Sequence, residues 1–283
     1  MQIDGLNAGV KLTTTTNILD IDIPKQLEKN VTTGMKEMDL LMAGDGVTRS
    51  TVTMVTGVPG NGKSTIMLQT ADAVTKSGNI AVYNGNEESV FQMRKTAKRL
   101  RLKHGFIVQA ETDVYKLVYI LNKITKENPD KVVFFVQDSL PSLVVPNYEI
   151  DEKTGMPKVM KKGLDRDGFP HWKKQRGRAL AGNNATIRAI EVLASWTKQT
   201  FGVSFLINHV LKDGTFAGAQ TLKHVIDVHL HLTIELGKRS ENYGERSLSV
   251  EKNRFGIAGV FFPFEISERG LRFLTAPGTP QGQ

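Results

Sequence analysis

The 283-residue sequence contains no cysteine. That absence excludes disulfides, thiol nucleophiles, thiol redox chemistry and any zinc site built on cysteine ligands. Its six histidines form no H-E-x-x-H pair, so the helical zinc-hydrolase signature is missing as well. No apolar run approaches the roughly eighteen residues of a membrane span. The opening Met1-Gln2-Ile3-Asp4-Gly5 lacks the basic-then-apolar pattern of a secretory signal, so the expected compartment is the cytoplasm. Acidic residues are in deficit: 29 Asp and Glu against 37 Lys and Arg give a net charge of +8, which suits an anionic partner. With 40% hydrophobic and 23% charged residues, the chain otherwise has the composition of a soluble globular protein.

What the sequence does contain is a phosphate-binding loop, Gly57-Val58-Pro59-Gly60-Asn61-Gly62-Lys63-Ser64-Thr65, matching G-x-x-x-x-G-K-[ST]. The short β-branched run Val52 to Thr56 precedes it, and Thr65 to Val74 follows with apolar residues at helical spacing, which is the strand-loop-helix context the motif requires. Glycines let successive backbone N–H groups turn toward phosphate oxygens, and the helix N-terminus adds its positive dipole end. Lys63 is expected to reach the β- and γ-phosphates of ATP, and Ser64 to hold Mg²⁺.

Residues 1–30 show little periodicity and read as an arm or linker, either ordered locally or packed on a neighbouring subunit. A core of 31–275 follows, with a tail at 276–283 rich in Pro, Gly and Gln and expected to be disordered. Within the core, Thr33 to Leu41 reads as a short helix with Met35, Met38 and Leu41 on one face. Ile80 to Tyr83 and Phe106 to Gln109 read as strands, and Val90 to Leu102 and Val114 to Ile124 as helices. Glu87 and Glu88 end the second strand, where a carboxylate could orient a water or simply favour a helix start. Lys131 to Ser139 is a continuous apolar run ending in Asp138, as expected of a central strand buried on both faces. Asp138 would lie at the mouth of the sheet and hold Mg²⁺ through a water, or else cap the next element.

From 141 to 182 regularity fails among Pro146, Pro157 and Pro170, too long a stretch for an ordinary connection. Nine basic residues fall between Lys153 and Arg178 against Asp165 and Asp167 alone. The run is either a DNA-tracking surface, with Lys173, Lys174, Arg176 and Arg178 on phosphates and Phe169 and Trp172 stacking on bases, or a solvated loop. Ile187 to Thr200 resumes helical spacing. Val203 to His209, Val225 to Leu232 and Ser247 to Val250 read as strands, and a hairpin turns at Glu268-Arg269-Gly270. Strands alternating with helices give an α/β fold with a mostly parallel central sheet and a C-terminal antiparallel hairpin.

In this order, several motifs resemble the bacterial RadA/Sms recombination ATPases of the RecA/DnaB-like superfamily. They are Thr33-Gly34-Met35-Lys36-Glu37-Met38-Asp39, the phosphate loop, Glu87-Glu88-Ser89, Asp138-Ser139, His209 to Gly214, Ala217-Gly218, His224 and Lys252-Asn253-Arg254-Phe255-Gly256. The resemblance implies a RecA-like ATPase core that forms a homo-oligomer, a hexameric ring, and moves on single-stranded DNA as a translocase or branch-migration helicase in recombination, repair or replication. It implies that Glu87, with Glu88 in reserve, polarises the attacking water, and that His209 senses the γ-phosphate. Lys212 and Thr215 would lie in a loop that approaches DNA, and Lys252 and Arg254 would reach the neighbouring subunit's γ-phosphate. Departures accompany it: the family's four-cysteine zinc module and Lon-like domain are not expected here, the 141–182 segment is longer and more basic, and Asn86 replaces a glycine. Two other functions fit the same residues, an ATP-gated protein switch like the KaiC-like relatives, and a factor that coats or anneals single strands without motor activity.

Overall fold

The computed structural model describes residues 13–177, 179–209, 224–235 and 244–274. Arg178, Lys212, Thr215 and the expected tail therefore lie outside the described residues. In chain order the elements are α1 (Lys36–Met42), β1 (Thr51–Gly57), α2 (Lys63–Lys76), β2 (Ile80–Gly85), α3 (Val90–Arg99), β3 (Ile107–Gln109), α4 (Val114–Glu127) and β4 (Val133–Asp138). They continue with β5 (Val159–Leu164), β6 (Pro170–Trp172), α5 (Gly182–Thr200), β7 (Val203–Ile207), β8 (Val228–Ile234), β9 (Arg246–Asn253), β10 (Phe261–Ser267) and β11 (Gly270–Phe273).

Nine strands form one sheet in the order β11-β10-β9-β8-β1-β7-β4-β2-β3. The six from β8 to β3 run parallel, and β9, β10 and β11 extend the sheet antiparallel. Every residue of β1 and β4 is buried, which is why both read as unbroken apolar runs rather than alternating ones. On one face α2 presses Ile66, Met67 and Val74 onto Phe134, Phe205 and Leu230. On the other, α4 and α5 cover Val52, Met54 and Phe135, with Phe135 and Trp196 edge-on at 6.1 Å. The expected α/β fold is thus borne out. One boundary differs: the third helix ends at Arg99 rather than Leu102, and its Phe91 is 79% exposed.

The 141–182 stretch holds more order than expected. β5 and β6 form an antiparallel hairpin, seated on α4 through Trp172, whose ring lies 5.4 Å from Tyr148, 6.2 Å from Phe169 and 6.3 Å from Tyr119. Lys116 Nζ sits 4.6 Å above the Phe169 ring. Sequence pattern misses this hairpin because all of β5 is exposed, so no apolar alternation marks it; the residues that hold it come from α4 and Tyr148. Phe169 and Trp172, both half-buried, thus serve to seat the hairpin.

A buried charge node closes the N-terminal end of β1. The Asp227 carboxylate, 1% exposed, accepts from the backbone N of Val52 at 2.9 Å, Lys198 Nζ at 2.5 Å and Arg254 Nη1 at 3.1 Å. Removing one partner of a buried ion pair leaves the other charge uncompensated. Asp227→Ala is expected to cost on the order of 3 kcal/mol, read as a lowered urea midpoint at unchanged slope. A midpoint within experimental error of the parent would show that the node contributes no stability.

Candidate active site

Because the central strands are parallel, their C-terminal ends meet at one sheet edge, where ligands of open α/β folds bind. β1 delivers the phosphate loop there, β2 delivers Glu87, β4 delivers Asp138, and β7 delivers His209. Two glycines make the loop possible. A Cβ on Gly57, at φ +148°, would fall 2.5 Å from the Leu232 carbonyl oxygen, and one on Gly62, at φ +93°, would fall 2.6 Å from Ile266 Cδ1. Asn61 pins the loop to β8 by donating Nδ2 to the Leu232 carbonyl at 2.9 Å. Val58, Pro59 and Gly60 are exposed, and Thr65 is half-buried in the first turn of α2.

Lys63 begins α2 and is buried, its Nζ donating to the carbonyls of Gly57 at 2.7 Å and Val58 at 3.0 Å. Burial lowers its pKa, an effect opposed by the charges of Asp138 and Glu87. Asp138 is 9% exposed, and its Oδ2 accepts from the Tyr83 hydroxyl at 2.6 Å. Ser64 lies near the same hydroxyl, and the Tyr83 pKa stands well above the ordinary value through burial and then the Asp138 charge. The phenol is thus held neutral and donates to Asp138.

Ser64 and Asp138 fit Mg²⁺: one hydroxyl and one carboxylate are hard oxygen donors few enough to leave room for waters and phosphate oxygens. Among the described residues no cluster of three His, Asp or Glu side chains could form an all-protein cage.

Glu87 is tied down by two elements. Ser139 Oγ donates to its Oε1, and His209 Nε2 lies 3.2 Å from the same oxygen. Burial pushes its carboxyl up, but the hydrogen bonds from Ser139 and His209, with the charges of His209 and Lys63, outweigh this and hold the pKa below the ordinary carboxylate value. Glu88 is exposed beside it, and its charge is felt at Tyr83. The geometry thus brings together Lys63, Ser64, Glu87, Asp138 and His209.

Lys252 and Arg254 lie elsewhere. Lys252 Nζ donates to the Ile226 carbonyl at 2.6 Å, and Arg254 Nη2 to the His224 carbonyl at 3.1 Å, beside the Asp227 node. That node bonds Val52, while the phosphate loop leaves β1 at Gly57. A strand rises about 3.3 Å per residue, which separates Arg254 from its own loop by on the order of 17 Å.

Several site residues escaped the sequence reading. Tyr83 looked like one more apolar strand residue. Arg246 Nη1 approaches Asn61 Oδ1 at 3.3 Å and the Gly60 carbonyl at 3.5 Å. Thr56 Oγ1 lies 2.7 Å from both His229 Nε2 and His231 Nδ1. Burial, with His231 alongside, pulls His229 down to about 4, and burial lowers His231 as well. Two neutral rings on one hydroxyl require that it donate to one and accept from the other. The alternation of His229 and His231 along the eighth strand was the available signal.

No family model matches the chain. By sequence it is similar to the DNA repair protein RadA of Mycolicibacterium smegmatis, 30% identical over 251 residues, 87% of this chain and 45% of that protein. RadA of Bacillus subtilis is 29% identical over 252 residues, 88% of this chain and 46% of its own length, and RadA of Aquifex aeolicus is 27% identical over 258, covering 90% and 49%. The chain spans about half the length of these relatives. In structure it is similar to a KaiC-like protein from the hyperthermophilic archaeon Pyrococcus horikoshii OT3, with a TM-score of 0.59 and 16% identity, covering 87% of this chain and 99% of that one. The fold is RecA-like, and the resemblance to the RadA family read from the motifs is borne out over most of the chain. No helix among the described residues is long and apolar enough to cross a membrane.

Proposed function

We propose that this chain is an ATPase of DNA repair and recombination that hydrolyses ATP at sites shared between neighbouring copies in a hexameric ring, moving on single-stranded DNA. The observation that carries the reading is the convergence of Lys63, Ser64, Asp138 and Glu87 on one sheet edge around a glycine-built loop. The loop's backbone N–H groups and Lys63 bind the phosphates. Ser64, and Asp138 through water, hold Mg²⁺, which when bound neutralises charge on the phosphates. Glu87, kept ionised, accepts a hydrogen bond from the attacking water and orients it. His209, hydrogen-bonded to Glu87, senses the γ-phosphate, and the DNA contacts assigned by resemblance to Lys212 and Thr215 lie outside the described residues. Arg254, with Lys252, supplies positive charge to the neighbour's γ-phosphate, since its own site is out of reach.

The relatives are DNA repair proteins by name, and the basic hairpin leaves the same sheet edge as the site. Its Lys173 is already paired with Glu149 at 2.6 Å, so backbone contacts fall mainly to exposed Lys174 and Arg176, with Arg178 beyond them in sequence. Single-stranded DNA is expected to raise the ATP hydrolysis rate severalfold, an effect that fades with salt as counterions compete. Lys174→Ala with Arg176→Ala is expected to reduce the slope of log affinity against log salt by about 1.4, at about 0.7 per lost phosphate contact. Hydrolysis indifferent to DNA at every salt concentration would favour the ATP-gated switch instead, and an unchanged slope would remove the hairpin from the DNA path.

A further inference from the structure

A network of amide side chains ties the end of β2 to the end of β4. Asn84 and Gln137 pair in register across these strands, both 0% exposed. Asn84 Nδ2 donates to Gln137 Oε1 at 2.8 Å and to the Glu111 carbonyl at 2.9 Å, and Glu111 N donates back to Asn84 Oδ1 at 2.9 Å. Gln137 Nε2 donates to the Ser139 carbonyl at 3.0 Å and to Ser142 Oγ at 3.3 Å, while Ser142 Oγ donates to the same carbonyl at 2.6 Å. Asn86 completes the set. Its Nδ2 donates to the Glu111 carbonyl at 3.0 Å and to Ser142 Oγ at 3.3 Å, and its backbone N donates to the Asp138 carbonyl at 3.2 Å.

Stability does not account for this network. A buried amide pair adds little over apolar residues of the same shape, which would pack between two parallel strands about as well. Asn86 even carries a penalty, because its buried Oδ1 has no partner among the described residues. What a satisfied buried network supplies is one fixed arrangement of the groups it joins. Here those groups are the two sides of the hydrogen bond that anchors Glu87. Asn86 is the residue before Glu87, and Ser139, whose carbonyl accepts from Gln137 and Ser142, gives its own hydroxyl to Glu87 Oε1.

We propose that Asn86 and Gln137 are positioning residues for the hydrolytic step. Asn86 fixes the backbone that carries Glu87, Gln137 fixes the peptide that carries Ser139, and together they hold the carboxylate where it meets the attacking water. The inference rests on the reading of Glu87 as the base and deepens it. Both side chains act on the chemical step, whereas nucleotide binding is carried by the phosphate loop.

Asn86→Ala is the mild test, because Asn84 still serves the Glu111 carbonyl and Gln137 still serves Ser142 Oγ. It is expected to lower kcat about tenfold, within the loss that a misplaced reacting group produces, with ATP affinity and urea midpoint close to the parent's. Gln137→Met removes the amide at similar volume and is expected to lower kcat likewise. The decisive measurement is a cycle with Glu87→Gln, read as single-turnover ATP hydrolysis by the full chain. Once the base is gone its placement no longer matters, so adding Asn86→Ala or Gln137→Met to Glu87→Gln is expected to change the residual rate less than about twofold. A parental kcat in both single variants, a loss of ATP affinity that matches the loss of rate, or full additivity on Glu87→Gln would overturn the positioning role while leaving Glu87 as the base. Glu87→Gln with a parental rate would remove the base assignment itself, and the proposal with it.

Discussion

Arg254→Ala and Lys63→Ala are each expected to abolish ATP turnover, and mixing the two inactive proteins is expected to restore up to about a quarter of the parental rate. The quarter follows from random pairing across a heterologous interface: a site works when its loop comes from an Arg254→Ala subunit and its arginine from a Lys63→Ala subunit. The physical basis is the loose transition state of phosphoryl transfer, which spreads negative charge over the γ-oxygens. A guanidinium inserted there accelerates other enzymes by about 10³ to 10⁵. In this chain the arginine and its own phosphate loop occupy opposite ends of β1, so one subunit cannot supply both parts. The substitution is also mild for the fold, because Asp227 keeps Lys198 at 2.5 Å and the Val52 backbone N at 2.9 Å when Arg254 is gone. ATP binding by Arg254→Ala, measured by calorimetry, is expected to persist while hydrolysis fails. Mixed assemblies that form and stay inactive would argue for a site complete within one chain and would leave Arg254 a role in the Asp227 node alone.

That two-ended arrangement shows what was legible in the sequence. The phosphate loop, the strand before it and the helix after it are local features, written in consecutive residues, and the fully buried β4 announced itself as an unbroken apolar run ending in Asp138. Those parts of the fold follow from periodicity alone. Tyr83, Arg246 and the Thr56–His229–His231 cluster do not, because each acquires its meaning from a strand or loop distant in the chain. Asp227 illustrates the limit well. In sequence it is one acid beside a strand, and only the pairing of β1, β8 and β9, with α5 packed on β1, gathers Val52, Lys198 and Arg254 around it. The basic hairpin was hidden for a related reason: its stability comes from aromatic contacts supplied by α4 and Tyr148, while its own first strand carries lysines where an apolar alternation would otherwise show. Long-range packing, rather than local propensity, decided each of these.

Glu87→Gln is expected to lower the catalytic rate constant about a thousandfold, within the range that general acid–base catalysis contributes, with little change in ATP affinity. Gln keeps the size of the side chain and can still accept from Ser139, so the loop after β2 retains its place; what is lost is the negative charge that draws a proton from water. Glu88→Gln is expected to cost far less, because Glu88 stands outside the Ser139–His209 hydrogen bonds that fix Glu87. The pH dependence follows from the direction of the Glu87 shift. Its carboxyl titrates below the ordinary value because the donors Ser139 and His209, with the charge of Lys63, outweigh the opposing effect of burial. The base is then ionised throughout the neutral range, and activity is lost only as pH falls through that lowered pKa. Ser139→Ala removes one of the donors, so it should move the acidic limb of the rate profile upward, toward the ordinary carboxylate range. A parental limb in Ser139→Ala, or Glu88→Gln as damaging as Glu87→Gln, would assign the base to another residue.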